Sequence, residues 1–203
     1  MINEVFFDCE TKKLFSEVGG VNASLLGASI VSVYQRKIDE AYNEIEGNLT
    51  SFWEKDFDKL WQIFSISDRI IGFNSKGFDI EVLQPYAPYN LSKLPHFDIM
   101  EEVKKIIDRR ISLDALAKET LDKEKSDIGI NAVLYWKSQT KENLEKLRKY
   151  CEMDVIISKE LYDFGLKNHF LKFKDRWNTP RIVNVDFSYA KEELSQKKQI
   201  GLF

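Results

Sequence analysis

Val5-Phe6-Phe7-Asp8-Cys9-Glu10-Thr11 is an apolar run that turns acidic at its end. Alternation along a strand sends Asp8 and Glu10, two residues apart, to the same side. Two carboxylates held that close raise each other's pKa unless a cation lies between them. Oxygen donors of this type suit Mg²⁺ or Mn²⁺. Solvation alone also produces acidic strand ends, so the segment gains meaning from two others.

The second is Arg69-Ile70-Ile71-Gly72-Phe73-Asn74-Ser75-Lys76-Gly77-Phe78-Asp79-Ile80-Glu81-Val82-Leu83. Its reading is a short buried strand, a loop with two glycines, and a helix starting near Phe78 with an acid in its first turn. The helix dipole favours Asp79 there on its own. Asn74, however, offers an amide at the mouth of a strand end, where open α/β sheets bind ligands. The third segment, Leu147 to Phe164, carries a broad apolar stripe of helical period. Spacing four puts the Tyr150 hydroxyl and the Asp154 carboxylate on one face of that helix.

Taken together, the three segments resemble the DEDD superfamily of 3′-to-5′ exonucleases. That superfamily carries aspartate-x-glutamate, then asparagine-x-x-x-aromatic-aspartate, then tyrosine or histidine before a final aspartate. Here these stand, in that order, as Asp8-Cys9-Glu10, Asn74 to Phe78-Asp79, and Tyr150 to Asp154. The tyrosine resembles the DEDDy branch, which includes the proofreading domains of family B DNA polymerases. The histidine branch does not fit, since position 149 is lysine and the two histidines are His96 and His169. The resemblance extends to Pro95–Met100 as a fifth strand and Ile111–Lys118 as a helix. Lys125-Ser126 with Ala132 to Trp136 is similar to single-domain bacterial and archaeal relatives.

The resemblance implies an α/β, ribonuclease H-like fold: a five-stranded mixed sheet, its second strand antiparallel, flanked by helices. It implies two Mg²⁺ or Mn²⁺ ions, roughly 3.5 to 4 Å apart in such sites, held by Asp8, Glu10, Asp79 and Asp154, with Asp8 bridging. Tyr150 would orient the attacking water, because a phenol of pKa about 10 is a poor base at neutral pH. Thr11 and Asn74 would contact the terminal nucleotide, and Phe78 would pack near the terminal base or belong to the core. The substrate that the resemblance implies is a single-stranded or frayed 3′ end of DNA or RNA; the residues do not choose between the polymers.

Composition sets the remaining bounds. With 203 residues and 43% hydrophobic content, the chain can bury one good core. The expected division is one domain over 1–189 and a charged tail over 190–203. No apolar run is long enough for a membrane span and no signal-peptide pattern is visible. Cys9 and Cys151 make neither a disulfide framework nor a zinc site, and read as packing residues of a cytoplasmic protein. A net charge of −3 argues against holding nucleic acid by bulk electrostatics, so metal ions and local basic patches must serve. Lys104, Lys105, Arg109 and Arg110 read as a solvated helix face. Lys167, Lys172, Lys174 and Arg176, interleaved with Phe170, Phe173 and Trp177, fit either a single-strand binder or strand-edge packing.

The coarse elements are strands at Glu4–Asp8, Leu25–Tyr34, Ala41–Ile45 and Ile70–Phe73 and a helix around Phe52–Phe64. Helices dominate from Met100 to Gly165, and a hairpin covers Phe170–Phe187. The last residues, Gln199, Ile200, Gly201, Leu202 and Phe203, resemble the peptide by which bacterial replication proteins bind the sliding clamp. They hang from a charged stretch that would act as a tether; the other reading folds Leu202 and Phe203 back onto the domain. The rival functions are a non-catalytic nucleic-acid-binding or clamp-associated module of the same fold, and a ribonuclease H-like endonuclease or transposase. The first rival usually loses an acid, and the second lacks the asparagine, aromatic and tyrosine found here.

Overall fold

The computed structural model describes residues 1–123 and 129–190. Lys125-Ser126 and the tail peptide Gln199 to Phe203 lie outside the described residues. The chain begins with β1 (Ile2–Thr11), a short helix α1 (Phe15–Val18), β2 (Ala28–Ile38) and β3 (Glu44–Trp53). Then come α2 (Phe57–Ser65), β4 (Arg69–Gly72), α3 (Asp79–Leu83), β5 (His96–Asp98) and α4 (Ile99–Ile107). Next are α5 (Leu113–Leu121), α6 (Gly129–Ser138) and α7 (Lys141–Asn168), and a hairpin of β6 (Phe170–Lys174) and β7 (Pro180–Asn184) closes the order.

The sheet runs β3-β2-β1-β4-β5, with β2 antiparallel to both neighbours and β1, β4 and β5 parallel. This is the expected five-stranded mixed sheet, with the hairpin separate from it. Alternation on β1 divides the core. Val5, Phe7 and Cys9 face α2 and α3, packing with Leu60, Phe64, Ile70 and Val82. Phe6 faces the other way, among Leu116, Val155, Leu161, Tyr162, Leu171 and Val183 from α5, α7 and the hairpin. Burying a ring such as Phe6 or Phe7 contributes about 1.5–3 kcal/mol, so both faces of β1 are anchored.

Helix α7 owes its seat to a buried stripe at Leu147, Cys151, Asp154, Val155, Ser158, Leu161, Tyr162 and Gly165, spaced three and four apart. Gly165 must be small: a Cβ there would come within 2.4 Å of the Phe187 ring. On the α7 side of β1, Glu4 is fully buried and paired with Arg36 at 2.7 Å. Its other oxygen accepts hydrogen bonds from the hydroxyls of Tyr162 (3.0 Å) and Tyr189 (2.9 Å). Arg36 also meets Asp163 at 2.8 Å, and Arg69 donates to Tyr162 Oη and to the Phe187 carbonyl. These bonds tie β1, β2, β4, α7 and the segment after β7 into one network.

Three expectations need correction. The third strand is Glu44–Trp53, not Ala41–Ile45: Ala41 and Tyr42 form the turn that Asp39 organises by accepting the N–H groups of Ala41 and Asn43. Phe52 and Trp53 belong to that strand, paired with Val31 and Ile30, so the helix begins only at Phe57. The second strand starts at Ala28, because Leu25 sits in a short turn of 3₁₀ helix capped by Asn22.

Breaking the buried pair isolates a carboxylate, so Arg36→Met is expected to cost about 3–5 kcal/mol in urea unfolding. A loss below about 1 kcal/mol would show that the two tyrosine hydroxyls suffice to hold Glu4.

Candidate active site

β1 and β4 run parallel and end on one side of the sheet, the side where such sheets place ligands. Asp8 and Glu10 leave β1 on the face that meets α7, and a register irregularity follows directly between Glu10 and Thr11. Bulges of this kind re-aim side chains next to sites. α7 brings Asp154 opposite them, and one ligand oxygen from each of Asp8, Glu10 and Asp154 lies within 4.8 Å of the others. The Cys151 thiol donates to the Asp8 carbonyl at 3.4 Å and to its carboxylate at 3.7 Å, which fixes α7 against β1 one turn before Asp154. Cys9 and Cys151 are buried free thiols, and burial pushes both pKa values up, so they stay protonated.

Asp79 stands at the start of α3, buried, with Oδ1 accepting the Cys9 N–H at 3.0 Å. It is not among the three oxygens grouped above, although it lines the same cavity as Asp8 and Glu10. Burial pushes its carboxyl up to about 7, against the hydrogen bonds from Cys9 that pull it down. A cation nearby would restore its charged form. An all-oxygen donor set with one carboxyl held near neutrality by burial fits a hard divalent ion.

Tyr150 projects one turn ahead of Asp154 and packs beside Ile30, Leu147 and Cys151. Burial, then the negative charges of Asp154, Glu10 and Asp8, push its phenol well above the ordinary tyrosine value. The hydroxyl therefore keeps its proton and acts as a donor.

Two lobes of open space share Asp8, Phe73 and Asn74 as wall residues. One, of about 300 Å³, runs past Thr11 and Asp79 between the apolar side chains of Leu14, Phe15, Phe78 and Val133. Phe15 and Phe78 meet edge to face there, with ring centres 6.1 Å apart. The other, of about 420 Å³, opens between Asp154 and the residues Arg110 and Ser112. Thr11 is buried, with Oγ1 donating to the Lys13 carbonyl at 3.0 Å.

Asn74 sits at the junction in the left-handed region at φ 60°, which asparagine tolerates. Its buried Oδ1 has no hydrogen-bond partner among the described residues. Asp98 sets this turn: its carboxylate accepts the N–H groups of Asn74 (2.9 Å), Lys76 (3.0 Å) and Glu101 (3.1 Å). The sequence reading used Asp98 only as part of a strand. Asp98-x-x-Glu101 has the spacing of a helix start, but its grip on Asn74 spans a separation that no local pattern reveals. Phe15, Arg110 and Ser112 were likewise not assigned to the cavity.

A family model for the RNase H superfamily matches residues 5–164. The chain belongs to that superfamily. No curated protein matches the chain significantly. RNase H-like proteins generally hydrolyse nucleic acids and usually use divalent metals, and the group of Asp8, Glu10 and Asp154 is suited to hold one. Nuclease-type chemistry on a nucleic-acid substrate is the activity this fold and acidic group suggest. Among the described residues no helix is long and apolar enough to cross a membrane.

Asp98→Ala is expected to speed amide hydrogen exchange at Asn74 and Lys76 while the β1 amides exchange as before. Unchanged protection at those two amides would mean that the turn holds its shape without the carboxylate.

Proposed function

We propose that this RNase H superfamily member is a 3′-to-5′ exonuclease of the DEDDy type, similar to the proofreading domains of family B polymerases. The observation that carries the reading is the grouping of Asp8, Glu10 and Asp154, with ligand oxygens within 4.8 Å of one another, together with Tyr150 one turn before Asp154 on the same helix. An apolar lobe beside the acidic group, within the size of small-ligand pockets, supports a substrate that enters by its end.

Asp8, Glu10, Asp79 and Asp154 would hold two Mg²⁺ or Mn²⁺ ions. When bound, such ions supply charge that lowers the pKa of the attacking water and stabilises the departing oxygen. The chain's own groups do the rest. Tyr150 donates to and orients the water. Thr11 and Oδ1 of Asn74, unpartnered among the described residues, hold the terminal nucleotide, and Phe78 with Phe15 packs against its base. Water attacks the last phosphorus and releases a proton to solvent, the bond to the 3′ oxygen of the preceding nucleotide breaks, and that oxygen takes a proton from solvent. The products are a nucleoside 5′-monophosphate and a strand one unit shorter.

The reading of Gln199, Ile200, Leu202 and Phe203 as a sliding-clamp peptide rests on sequence alone. Deleting residues 199–203 is expected to abolish retention on immobilised bacterial clamp, and retention by the truncated chain would remove it.

The first experiment incubates 5′-labelled single-stranded DNA and RNA of equal sequence with Mg²⁺, Mn²⁺ or EDTA. The expected result is a metal-dependent ladder shortening from the 3′ end, absent for Asp8→Ala and Asp154→Ala and in EDTA. Internal cuts would instead indicate an endonuclease, and intact strands throughout a binding module. Tyr150→Phe is expected to slow the reaction about 10–100-fold, as for other groups that orient rather than ligate. A loss as severe as that of Asp154→Ala would make the orienting role too small.

A further inference from the structure

The wall of the second lobe carries a charged group that the reaction above leaves unused. Arg110 lines the space opposite Asp8 and Asp154, is exposed, and among the described residues pairs with no carboxylate or carbonyl. Among those residues Arg110 is the one basic side chain in the lining of this lobe, whereas Lys76 is paired with Glu101, Lys174 with Glu119, and Arg148 with Glu145 and Glu152. The backbone on either side of Arg110 is fixed. Asp108 ends α4 in the left-handed region, with its N–H bonded to the Lys104 carbonyl. Arg109 is pinned to the hairpin, its guanidinium over the Phe173 ring and donating to the Lys174 carbonyl. Ser112 caps α5 by accepting the Ala115 N–H.

A polynucleotide cut at the junction of the lobes has two parts. With the terminal nucleoside in the apolar lobe, the other lobe, which shares Asp8, Phe73 and Asn74 with it and offers Arg110 and the N-terminal end of α5, is placed to take the remaining strand. Helix N-termini and guanidinium groups are both complementary to phosphate. In a chain of net charge −3 with carboxylates at its centre, a polyanion needs a cation placed locally.

Resting on the phosphodiesterase reading of this site, we propose that Arg110 anchors the phosphate on the 5′ side of the nucleotide that precedes the cleaved bond, making a strand, and not a lone nucleotide ester, the preferred substrate.

The test compares a single-stranded oligonucleotide with thymidine 5′-(p-nitrophenyl phosphate), which carries the nucleoside and the scissile phosphate but no further phosphate. Binding of the same oligonucleotide is followed by fluorescence anisotropy in EDTA across a salt series. Arg110→Ala is expected to lower the oligonucleotide-to-ester ratio of kcat/KM about tenfold, mainly through KM. The slope of log affinity against log salt should shrink by about 0.7, the loss of one single-strand phosphate contact. Arg110→Lys should restore the slope and recover only part of the affinity, since lysine keeps the charge but not the fork. Equal losses on both substrates, or an unchanged salt slope, would overturn the proposal. Should the wild type cut neither substrate while Arg110→Ala still loses the slope, the cleavage reading fails and the phosphate site stands. Should it cut both while the slope stays fixed, the reverse holds.

Discussion

Like charge at close range is the constraint on which the molecule turns. β1 delivers two carboxylates to one face and α7 brings a third, with oxygens within 4.8 Å of one another. Such a group is stable only beside opposite charge or strong donors, and a loosely packed fold would let the carboxylates drift apart. The seam between β1 and α7 opposes that. The Cys151 thiol, a weak donor, reaches both the carbonyl and the carboxylate of Asp8, and on the adjoining side the Cys9 N–H holds Asp79. A cysteine at each place is small enough to let strand and helix approach.

The same face of β1 changes character along its length. At one end Glu4 is sealed in a network with Arg36, Tyr162 and Tyr189; Phe6 follows in the core, and Asp8 and Glu10 then emerge into the cavity. One carboxylate is thus neutralised internally while the next two reach the cavity. The alternation that buries Phe6 also aims the acids, so the pairing register of β1 with β2 and β4 fixes core and site in one step. Asp98 extends the control to a third strand end by fixing the backbone of the Asn74 turn.

Legibility followed the strength of local pattern. Both central strands, the long helix and the hairpin were readable because apolar alternation, helical period and the break at Asn178 to Pro180 are properties of neighbouring residues. The third strand was placed too early, at Ala41–Ile45, because Glu44 to Asn48 is exposed and polar but for Ile45, an edge segment that β2 recruits by pairing. The apolar stripe on α7 looked broad because Tyr150, Met153 and Phe164 flank the buried face without being fully buried, while Asp154, Ser158 and Gly165, which are polar or small, lie within it.

The sequence by itself determined the residue types and spacings: Asp8 with Glu10 at strand period, Tyr150 with Asp154 at helical period, and Asn74 ahead of Asp79. Those follow from the geometry of single elements. Only the tertiary structure decided which carboxylates come together, with Asp8, Glu10 and Asp154 grouped and Asp79 set beside them. It alone brought Asp98 to the Asn74 turn and set Arg110 on the wall facing Asp154. The reason is physical: these relations join residues far apart in the chain, and only packing of α3, α4, α5 and α7 around the strand ends brings them within reach.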